Sequence, residues 1–591
     1  MASSFLAAID NSKPPVTHSQ RARGGGGELF SINSSSNPDV DYHGESMEGN
    51  LNLNKGINEQ SPLHGPIEEI ARIETKKAED LLRNFGIPDI LSKTYSSRSI
   101  YCSHPLNLQS ITCIGYDMDS TLIHYNVMAW GRCCYYYCME NLKDMGYPVD
   151  GLAFDPDLVI RGLAIDKERG NLVKADQFGC VNRAMHGTHM LPTQAVSMMY
   201  GKEIVELRKE SQWKFLNTLF SIPEAVAYMQ MVDRLDEGVM SPDLGPLNYK
   251  SLYKAVGKAI LKVHGDGRLK SEIMSKPELF VEPDPELPLA LLDQKEAGKT
   301  LLLITNSDYL YTDEMMQHAF DRFLPTDMEW RDLFDMVIVS ARKPEFFQIS
   351  HPMYEVMTEE GLMRQWRKLW RGGLYSGGSA QLIEKEFNIR GDKILYVGDH
   401  MYKDVCPSKV HSRWRTALIC REFEEEYNSL IHGREQRTML RGLINQKEVV
   451  EELFNQVRLA LQRRSTGCPA QSPAAAHMED HKLNESIQRL LVVMQRLDAK
   501  IAPLLERDGE HFNRRWGYLL RARLYDKSLL ARQIEKYADL YTSRVSNFLH
   551  YTPYMNFLLQ EKSLAHDSYS FYHPVPENNQ SQLRYSNYRQ G

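Results

Sequence analysis

The sequence predicts an α/β fold, and three features lead to that prediction. Four short, unbroken apolar runs lie at residues 111–116, 300–304, 336–339 and 394–397. Runs of this length without a polar interruption are typical of strands buried on both faces, as in a parallel sheet. Segments with helical spacing, such as residues 311–320, lie between the runs. Each run also ends directly in a polar cluster.

The polar clusters begin at Asp117, Thr305, Ser340 and Gly398, each of which is the first residue after an apolar run. In open α/β sheets, ligands bind at the carboxyl ends of the parallel strands. We therefore expect the four clusters to meet at one edge of the sheet and to form the functional site there.

The length of 591 residues predicts two or more domains. Residues 1–60 are rich in Ser, Asn and Gly and are expected to form a disordered tail. Apolar residues at helical intervals predict a helix at 66–85. The α/β core is expected at 61–124 and 291–430. Residues 125–290 are too many for a loop, so they are expected to form an inserted domain of their own.

The C-terminal part of the chain is predicted to be mostly helical. A helical extension is expected at 431–463, a Pro/Ala/Ser-rich linker at 464–480, a helical region at 481–560 and a flexible tail at 561–591. Within the helical region, apolar residues alternate at spacings of four and three, as in a short coiled coil: Leu483, Ile487, Leu490, Met494, Leu497 and Ile501. This seam is expected to pack against the rest of the chain or against a second subunit of a homo-oligomer.

Composition and charge argue against several classes of protein. Hydrophobic residues make up 42% and charged residues 25%, which is ordinary for a soluble globular protein. The formal net charge of -7 gives no electrostatic reason to expect a nucleic-acid partner. No apolar run approaches the roughly 18 residues of a membrane-spanning helix, so no membrane partner is expected.

The nine cysteines are too few and too irregularly spaced for a disulfide framework, which fits a reducing compartment such as the cytoplasm. The first 27 residues leave an alternative open. They contain Arg21, Arg23, several serines and one acidic residue, Asp10, as in a plastid or mitochondrial transit peptide. Two adjacent prolines and a run of glycines in the same segment favour a plain disordered tail instead.

Asp117 and Asp119 are the first candidate catalytic residues. Carboxylates at positions i and i+2 of an extended segment lie on the same side of the backbone, so one of them can attack phosphorus while the other moves protons. Two close carboxylates also need a divalent cation, and oxygen ligands beside a phosphate favour Mg²⁺. Taken alone, the pair has an equal alternative as two loop acids.

The other polar clusters supply what such a reaction requires. Thr305–Ser307, with the sequence TNS, offers donors for phosphate oxygens, or otherwise a helix N-cap. Lys343 would neutralise the phosphate and the nucleophile, or is otherwise a surface charge. Asp399 and Asp404 suit metal ligation, or otherwise helix capping. The occurrence of all four clusters, in this order and at four strand ends, favours the catalytic interpretation.

The order DxDxT, hydroxyl residue, Lys and GDxxxxD resembles the haloacid dehalogenase (HAD) superfamily of phosphohydrolases. This resemblance implies a Rossmann-like core with an α+β cap inserted after the first motif, where residues 125–290 lie. Over most of residues 65–560 the chain is also similar to the cytosolic purine 5′-nucleotidase and 5′-nucleotidase domain-containing family. The similar strings are GYDMDST at 115–121, LNTLF at 216–220, TNSDY at 305–309, ARKP at 341–344, YSGGS at 375–379, ILYVGDH at 394–400 and YADLY at 537–541.

The resemblance implies a Mg²⁺-dependent 5′-nucleotidase that acts on nucleoside 5′-monophosphates, with purines favoured, through an aspartyl phosphate. Asp117 then resembles the nucleophile, and Asp119 the general acid and base whose backbone carbonyl also ligates Mg²⁺. Asp399 resembles the side-chain Mg²⁺ ligand that acts with Asp117, and Asp404 its support. The residues that resemble the phosphate clamp are Thr305, Asn306, Ser307 and Lys343.

In the presumed cap, RGLAID at 161–166 and GNLVK at 170–174 resemble the family's substrate-binding segment. Arg161, Asp166 and Lys174 are therefore candidate substrate-binding residues, with an ordinary salt bridge as the alternative. Ser120 and Arg169 stand where the purine enzymes carry aromatic residues, which leaves the base preference open. The alternative functions are a phosphatase or phosphotransferase for another small phosphomonoester, and a scaffold with a vestigial site.

Overall fold

The structure is a computed structural model that describes residues 66–84, 96–358, 361–366, 368, 370–468 and 479–558. The expected tails at 1–60 and 561–591 lie outside these residues, and so do the transit-like first 27 residues and most of the linker. The chain divides into two compact units, Met1–Lys93 and Thr94–Gly591. The first unit contains the helix predicted at 66–85, which runs from Ile67 to Asn84.

Short strands are present throughout the second unit. In chain order they are β1 (Tyr101–Cys102), β2 (Leu106–Asn107), β3 (Cys113–Tyr116), β4 (His124–Tyr125), β5 (Ala164–Asp166), β6 (Asn171–Ala175), β7 (Val181–His186), β8 (His189–Met190), β9 (Trp213–Phe215), β10 (Val281–Glu282), β11 (Thr300–Ile304), β12 (Met336–Val339), β13 (Met353–Val356), β14 (Met363–Gln365), β15 (Gly373–Gly377), β16 (Ile394–Gly398), β17 (Arg415–Ile419), β18 (Leu540–Thr542) and β19 (Asn556–Phe557).

Helices lie before and between many of these strands. In chain order they are α1 (Ile67–Asn84), α2 (Val127–Asp144), α3 (Thr193–Tyr200), α4 (Ile222–Asp236), α5 (Tyr249–Gly265), α6 (Arg268–Ser275), α7 (Pro277–Phe280), α8 (Leu287–Glu296), α9 (Tyr309–Phe320), α10 (Glu345–Gln348), α11 (Ala380–Phe387), α12 (Cys406–Val410), α13 (Phe423–His432), α14 (Arg434–Ser465), α15 (Asp480–Glu506) and α16 (Leu529–Tyr537).

A ten-stranded sheet with the order β1-β18-β17-β16-β3-β11-β12-β15-β13-β14 forms the core, and it confirms the predicted α/β class. The neighbouring pairs from β18 to β15 are all parallel, as the apolar runs predicted. The predicted strands are the adjacent central ones, β16, β3, β11 and β12, which explains why their residues are buried on both faces.

The sheet is mixed rather than wholly parallel, because its two edges are antiparallel. Strand β1 pairs antiparallel with β18 at one edge, and β13 and β14 are antiparallel at the other. Sequence patterning did not reveal these edge strands. Each is only two to four residues long, and the exposed positions in β13 and β14 interrupt the apolar pattern.

The inserted segment forms an α+β cap. The chain leaves the core at β4 and returns at β10, and these two strands pair antiparallel. Between them, a five-stranded antiparallel sheet has the order β8-β7-β6-β5-β9. The cap helices α2, α4 and α5 pack on one another. Apolar packing continues from core residues such as Leu301 and Val397 into cap residues such as Trp130 and Tyr228, so the cap lies closed on the core.

Helices α14 and α15 form an antiparallel hairpin. Arg464 pairs with Asp480 near the turn, and Lys447 pairs with Asp498 further along, at 2.7 Å in both cases. The apolar seam of α15 faces α14: its first and last residues are buried and its middle residues are half-buried. The seam is therefore used within the chain, and a homo-oligomer through these helices stays a prediction.

The segment after α15 contains strands as well as helices, although residues 481–560 were predicted to be helical. Strand β18 enters the central sheet beside β17, and β19 pairs with β2. The sequence concealed this arrangement because the strands are only two or three residues long and pair with distant segments. Among the described residues, no helix is both long and apolar enough to cross a bilayer.

Candidate active site

The four central strands deliver the predicted residues to one edge of the sheet. Asp117 follows β3, and its backbone N–H donates to the carbonyl of Val397 in β16 at 2.9 Å. Thr305 follows β11, and its N–H donates to the carbonyl of Ile338 in β12 at 2.9 Å. Lys343 lies four residues beyond β12. The parallel register therefore aligns the strand ends, as the sequence predicted.

Lys343 lies at the centre of this edge. Its ammonium group is 2.6 Å from Asp117 Oδ1 and 2.8 Å from Asp404 Oδ1, and it donates a hydrogen bond of 3.0 Å to the Tyr396 hydroxyl. One oxygen from each of Asp117, Asp399 and Asp404 lies within 4.8 Å of the others, and all three side chains are buried. We call Asp117, Lys343, Asp399 and Asp404 the carboxylate cluster.

The electrostatics of the cluster explain why a cation fits there. Burial raises the pKa of Asp117, Lys343 lowers it, and the Asp404 and Asp399 carboxylates raise it further. Burial and the Asp404 carboxylate raise the pKa of Asp399 to about 7, although Arg161 opposes the shift. A single ammonium group faces three carboxylates, and oxygen-only donors of this kind suit Mg²⁺. Asp117, Asp399 and Asp404 would hold the ion.

Asp404 reaches the cluster because the chain turns sharply after β16. A π-helical turn at Met401–Val405 folds its side chain back, and the His400 N–H donates to Asp404 Oδ2 at 3.1 Å. Gly398 makes this approach feasible, since a Cβ atom there would lie 2.6 Å from the Asp404 Cβ. This turn explains how the two aspartates of GDxxxxD, which are five positions apart, both reach the carboxylate cluster.

Backbone strain is concentrated at the same edge. Ser120, Ser340 and Arg342 adopt positive φ angles of 58°, 47° and 61°, which non-glycine residues rarely do. Ser120 also lines a cavity of about 20 Å³ beside Asp399. The loops that carry the motif residues are thus held in costly conformations by the surrounding structure.

Asp119 is held by two hydroxyl groups. The Tyr125 hydroxyl donates to Asp119 Oδ1 at 2.6 Å, and the Ser307 hydroxyl donates to Asp119 Oδ2 at 2.8 Å. The hydroxyls of Tyr125 and Tyr311 are in turn 2.8 Å apart. Sequence reasoning placed Ser307 in the phosphate clamp and missed both tyrosines, which no spacing rule connects to Asp119.

The other predicted clamp residues have structural partners. The Thr305 hydroxyl accepts a hydrogen bond from the Ser307 N–H at 3.1 Å. The Asn306 side-chain amide donates to the Lys343 carbonyl at 3.0 Å and accepts from the Lys343 N–H at 2.7 Å. Asn306 therefore orders the loop that carries the lysine. Contact of Thr305 and Asn306 with phosphate stays a prediction.

Two cap residues reach the core at Asp399. The Thr218 hydroxyl donates to Asp399 Oδ2 at 3.0 Å, and the Arg161 guanidinium donates to the Asp399 backbone carbonyl. Arg161 also donates to the Asn217 carbonyl at 2.8 Å and lies 3.6 Å from Glu422. Arg161 therefore supports a cluster residue. Thr218 was not predicted individually, although it lies in the LNTLF string.

The other two cap candidates contact the cap itself or the C-terminal segment. Asp166 is fully buried and accepts from the Tyr200 hydroxyl and the Arg169 guanidinium, both at 3.0 Å. The Lys174 ammonium donates to the backbone carbonyls of Trp516 and Tyr518. Neither side chain has a polar contact with the carboxylate cluster among the described residues. In this conformation the contacts of the pair are structural, and the substrate role expected for Asp166 and Lys174 stays a prediction.

The chain is similar to known proteins over most of its length. The sequence profile described as "5' nucleotidase family" matches residues 100–569. A 5′-nucleotidase domain-containing protein of Dictyostelium discoideum is 25% identical over 528 residues, covering 87% of this chain and 83% of that protein. The 5′-nucleotidase domain-containing protein 2 of Homo sapiens is 26% identical over 508 residues, covering 82% and 87%.

A solved structure of a haloacid dehalogenase-like family hydrolase from Xanthomonas campestris is 11% identical. It covers 53% of this chain and 83% of its own, with a TM-score of 0.22. The strand order and the position of the cap, rather than this overlap, define the fold.

Proposed function

This chain belongs to the 5′-nucleotidase family and is a phosphoric monoester hydrolase, and we propose that it acts on nucleoside 5′-monophosphates with purines favoured. The observation that carries the proposal is the assembled carboxylate cluster beside Asp119. Asp117 as the candidate nucleophile, the buried ammonium group of Lys343 and the carboxylate of Asp119 lie at one sheet edge. A scaffold with a vestigial site would have no reason to retain them together.

The two carboxylate oxygens of Asp117 differ in their contacts. Oδ1 accepts from Lys343 and from the Met118 N–H at 2.8 Å, while no described residue donates to Oδ2. Oδ2 is therefore free to attack phosphorus. As its bond to phosphorus forms, the bond from phosphorus to the nucleoside oxygen breaks, and Asp119 protonates the leaving oxygen.

The second half of the reaction releases phosphate. Asp119 takes a proton from water as the water oxygen attacks phosphorus, and the bond from phosphorus to Asp117 breaks. Tyr125 and Ser307 keep Asp119 oriented through both steps. Mg²⁺ held by Asp117, Asp399 and Asp404 would offset the negative charge that accumulates on the phosphoryl oxygens.

The proposal is tested with the purified full-length chain and a panel of phosphomonoesters that includes nucleoside monophosphates, sugar phosphates and p-nitrophenyl phosphate. Asp117→Asn should lower turnover by at least about 10³-fold, because the nucleophile is removed while the fold is kept. Chelation with EDTA should abolish turnover of the wild type, and added Mg²⁺ should restore it. Asp150→Asn is the control, since the side chain of this exposed acid pairs with Lys143 on the surface.

Several outcomes would contradict the proposal. If Asp117→Asn keeps more than a few per cent of wild-type turnover, Asp117 is not the nucleophile. Activity that depends on Zn²⁺ and ignores Mg²⁺ would contradict the oxygen-ligand site. Preference for a sugar phosphate, or transfer of phosphate to an added nucleoside in place of water, would establish the corresponding alternative function.

A further inference from the structure

We propose that the preferred substrate carries a second phosphate on its nucleoside, and that a basic cleft next to the active site binds this phosphate. The inference rests on the proposed phosphohydrolase function and specifies the chemical class of the leaving group. The cleft has a volume of about 910 Å³, within the range of nucleotide-sized sites. Its basic residues, which define it here as the basic cleft, are Lys167, Arg208, Lys214, Lys403, Arg532 and Lys536.

The basic cleft begins at the active site. Its wall includes Asn217, Pro344 and His400, each of which is next in sequence to a residue of the carboxylate cluster or to Thr218. Consecutive Cα atoms are at most about 3.8 Å apart, so the inner end of the cleft adjoins the phosphoryl site. The cap, the core and α16 all contribute to its walls. A leaving group bound at the cluster can extend into this space.

The charge of the cleft exceeds what its own acids can neutralise. Six basic residues face only two acidic ones, Glu206 and Glu210. Glu206 pairs instead with Lys209, which does not line the cleft, at 3.4 Å. Among the described residues, Lys214 and Lys536 have no ion pair with a carboxylate. Cations that remain unpaired along one cleft favour an anionic ligand.

The basic side chains are also close enough to act together. Lys167 and Lys214 both line the cap side of the cleft. Burial and then repulsion by the charge of Lys214 lower the pKa of Lys167, whereas Glu210 raises it. A ligand with a second phosphate would relieve this repulsion. A nucleoside 5′-monophosphate places its single phosphate at the carboxylate cluster and would leave the cleft charges unpaired.

Aromatic residues among the basic ones indicate that the ligand also has a planar group. Tyr253, Tyr402 and Tyr537 line the cleft and are half-buried. The Lys167 ammonium lies 5.2 Å from the centre of the Tyr253 ring, and the Lys536 ammonium lies 4.9 Å from that of Tyr537. Rings next to cations match a base next to a phosphate. The ligand class is therefore a nucleoside bisphosphate.

The test compares adenosine 3′,5′-bisphosphate with adenosine 5′-monophosphate as substrates of the full-length chain. The wild type should hydrolyse the bisphosphate with a kcat/KM at least about tenfold higher, as expected for one added charge pair. The double variant Lys214→Gln/Lys536→Gln should lose that advantage while kcat/KM for the monophosphate changes by less than about twofold. The matched control is Lys209→Gln, because Lys209 is a neighbouring lysine outside the cleft. This variant should keep the higher kcat/KM for the bisphosphate.

Binding provides a measurement that does not depend on turnover. Titration calorimetry with Asp117→Asn protein should show tighter binding of adenosine 3′,5′-bisphosphate than of the monophosphate, and the two lysine substitutions should remove the difference. Equal affinity for both ligands, or a difference that survives the substitutions, would overturn the cleft assignment. If no phosphomonoester is hydrolysed at all, the proposed function fails, and this titration still decides whether the cleft binds the second phosphate.

Discussion

The core and the cap use their charged residues differently, although motif strings singled out candidate residues in both regions. In the core, Lys343 contacts Asp117 and Asp404 within 2.8 Å, so the predicted residues meet one another. In the cap, Asp166 and Lys174 are buried in contacts with the cap and the C-terminal segment. A motif string therefore identifies candidate residues. The contacts of each residue indicate whether substitution should affect catalysis or the stability of the fold.

Arg161 lies between these two cases. It belongs to the cap, but its guanidinium donates to the backbone carbonyl of Asp399 in the core. Thr218 makes a second cap-to-core contact with the same residue. The cap thus holds Asp399, a residue of the carboxylate cluster, in place through two contacts, and the motif strings in the cap did not reveal this.

The largest effect is expected for Lys343→Met. Removing the buried ammonium leaves Asp117 and Asp404 without their cation, so the free energy of unfolding should fall by about 3–5 kcal/mol and turnover should fall at least about 10³-fold. Urea unfolding and steady-state kinetics measure the two effects. Lys143→Met, which removes an exposed partner of Asp150, should leave both unchanged. A Lys343→Met protein with normal turnover would place the chemistry elsewhere.

An intermediate effect is expected for Arg161→Ala. Because Arg161 supports Asp399, kcat/KM should fall by about 10–100-fold for a nucleotide and for p-nitrophenyl phosphate alike. Parallel assays with the two substrates measure this. A rise in KM that is confined to the nucleotide would instead establish the substrate-binding role that the sequence predicted. Arg234→Ala is a control in the cap, since the Arg234 guanidinium donates to Glu237 and to the Asp150 carbonyl and not to the carboxylate cluster.

The smallest catalytic effect is expected for Lys174→Met. Two buried carbonyls, those of Trp516 and Tyr518, lose their donor, so the free energy of unfolding should fall by about 1–3 kcal/mol. We expect kcat/KM to change by less than about threefold on either substrate. A fall in kcat/KM that is confined to the nucleotide would establish the substrate-binding role that the sequence predicted for Lys174.

The pH dependence of stability sharpens the same test. Burial, and then the charge of Arg183, lowers the pKa of Lys174 from 10.5 to about 7. Between these values the unfolded chain binds a proton that the folded chain does not, so this contribution to stability rises with pH and is lost as pH falls towards 7. Its slope is at most about 1.4 kcal/mol per pH unit. Urea unfolding across this window should show the slope in the wild type and lack it in Lys174→Met.

The central strands and the meeting of the candidate residues at one sheet edge were predictable because their signals are local. Unbroken apolar runs mark strands buried on both faces, and parallel strands bring their carboxyl ends to one edge whatever lies between them. Asp117, Asp119, Thr305, Lys343, Asp399 and Asp404 all come directly or shortly after such runs. Tyr396 was not predicted as a site residue. Its hydroxyl contacts Lys343 from within a buried strand, whereas the predicted residues follow the strands.

The cap partners and the edge strands required the folded chain, because they depend on contacts between distant segments. Lys174 and Trp516 are separated by 342 residues, and no spacing rule connects them. Strand β18 joins the central sheet through three residues, too few for a periodic signal. Apolar patterning in the chain alone therefore predicted the sheet and the residues that meet at its edge, whose catalytic roles stay predictions. Whether a charged cap residue meets a substrate, a neighbouring loop or a catalytic aspartate depended on long-range packing, which places side chains without leaving a local pattern.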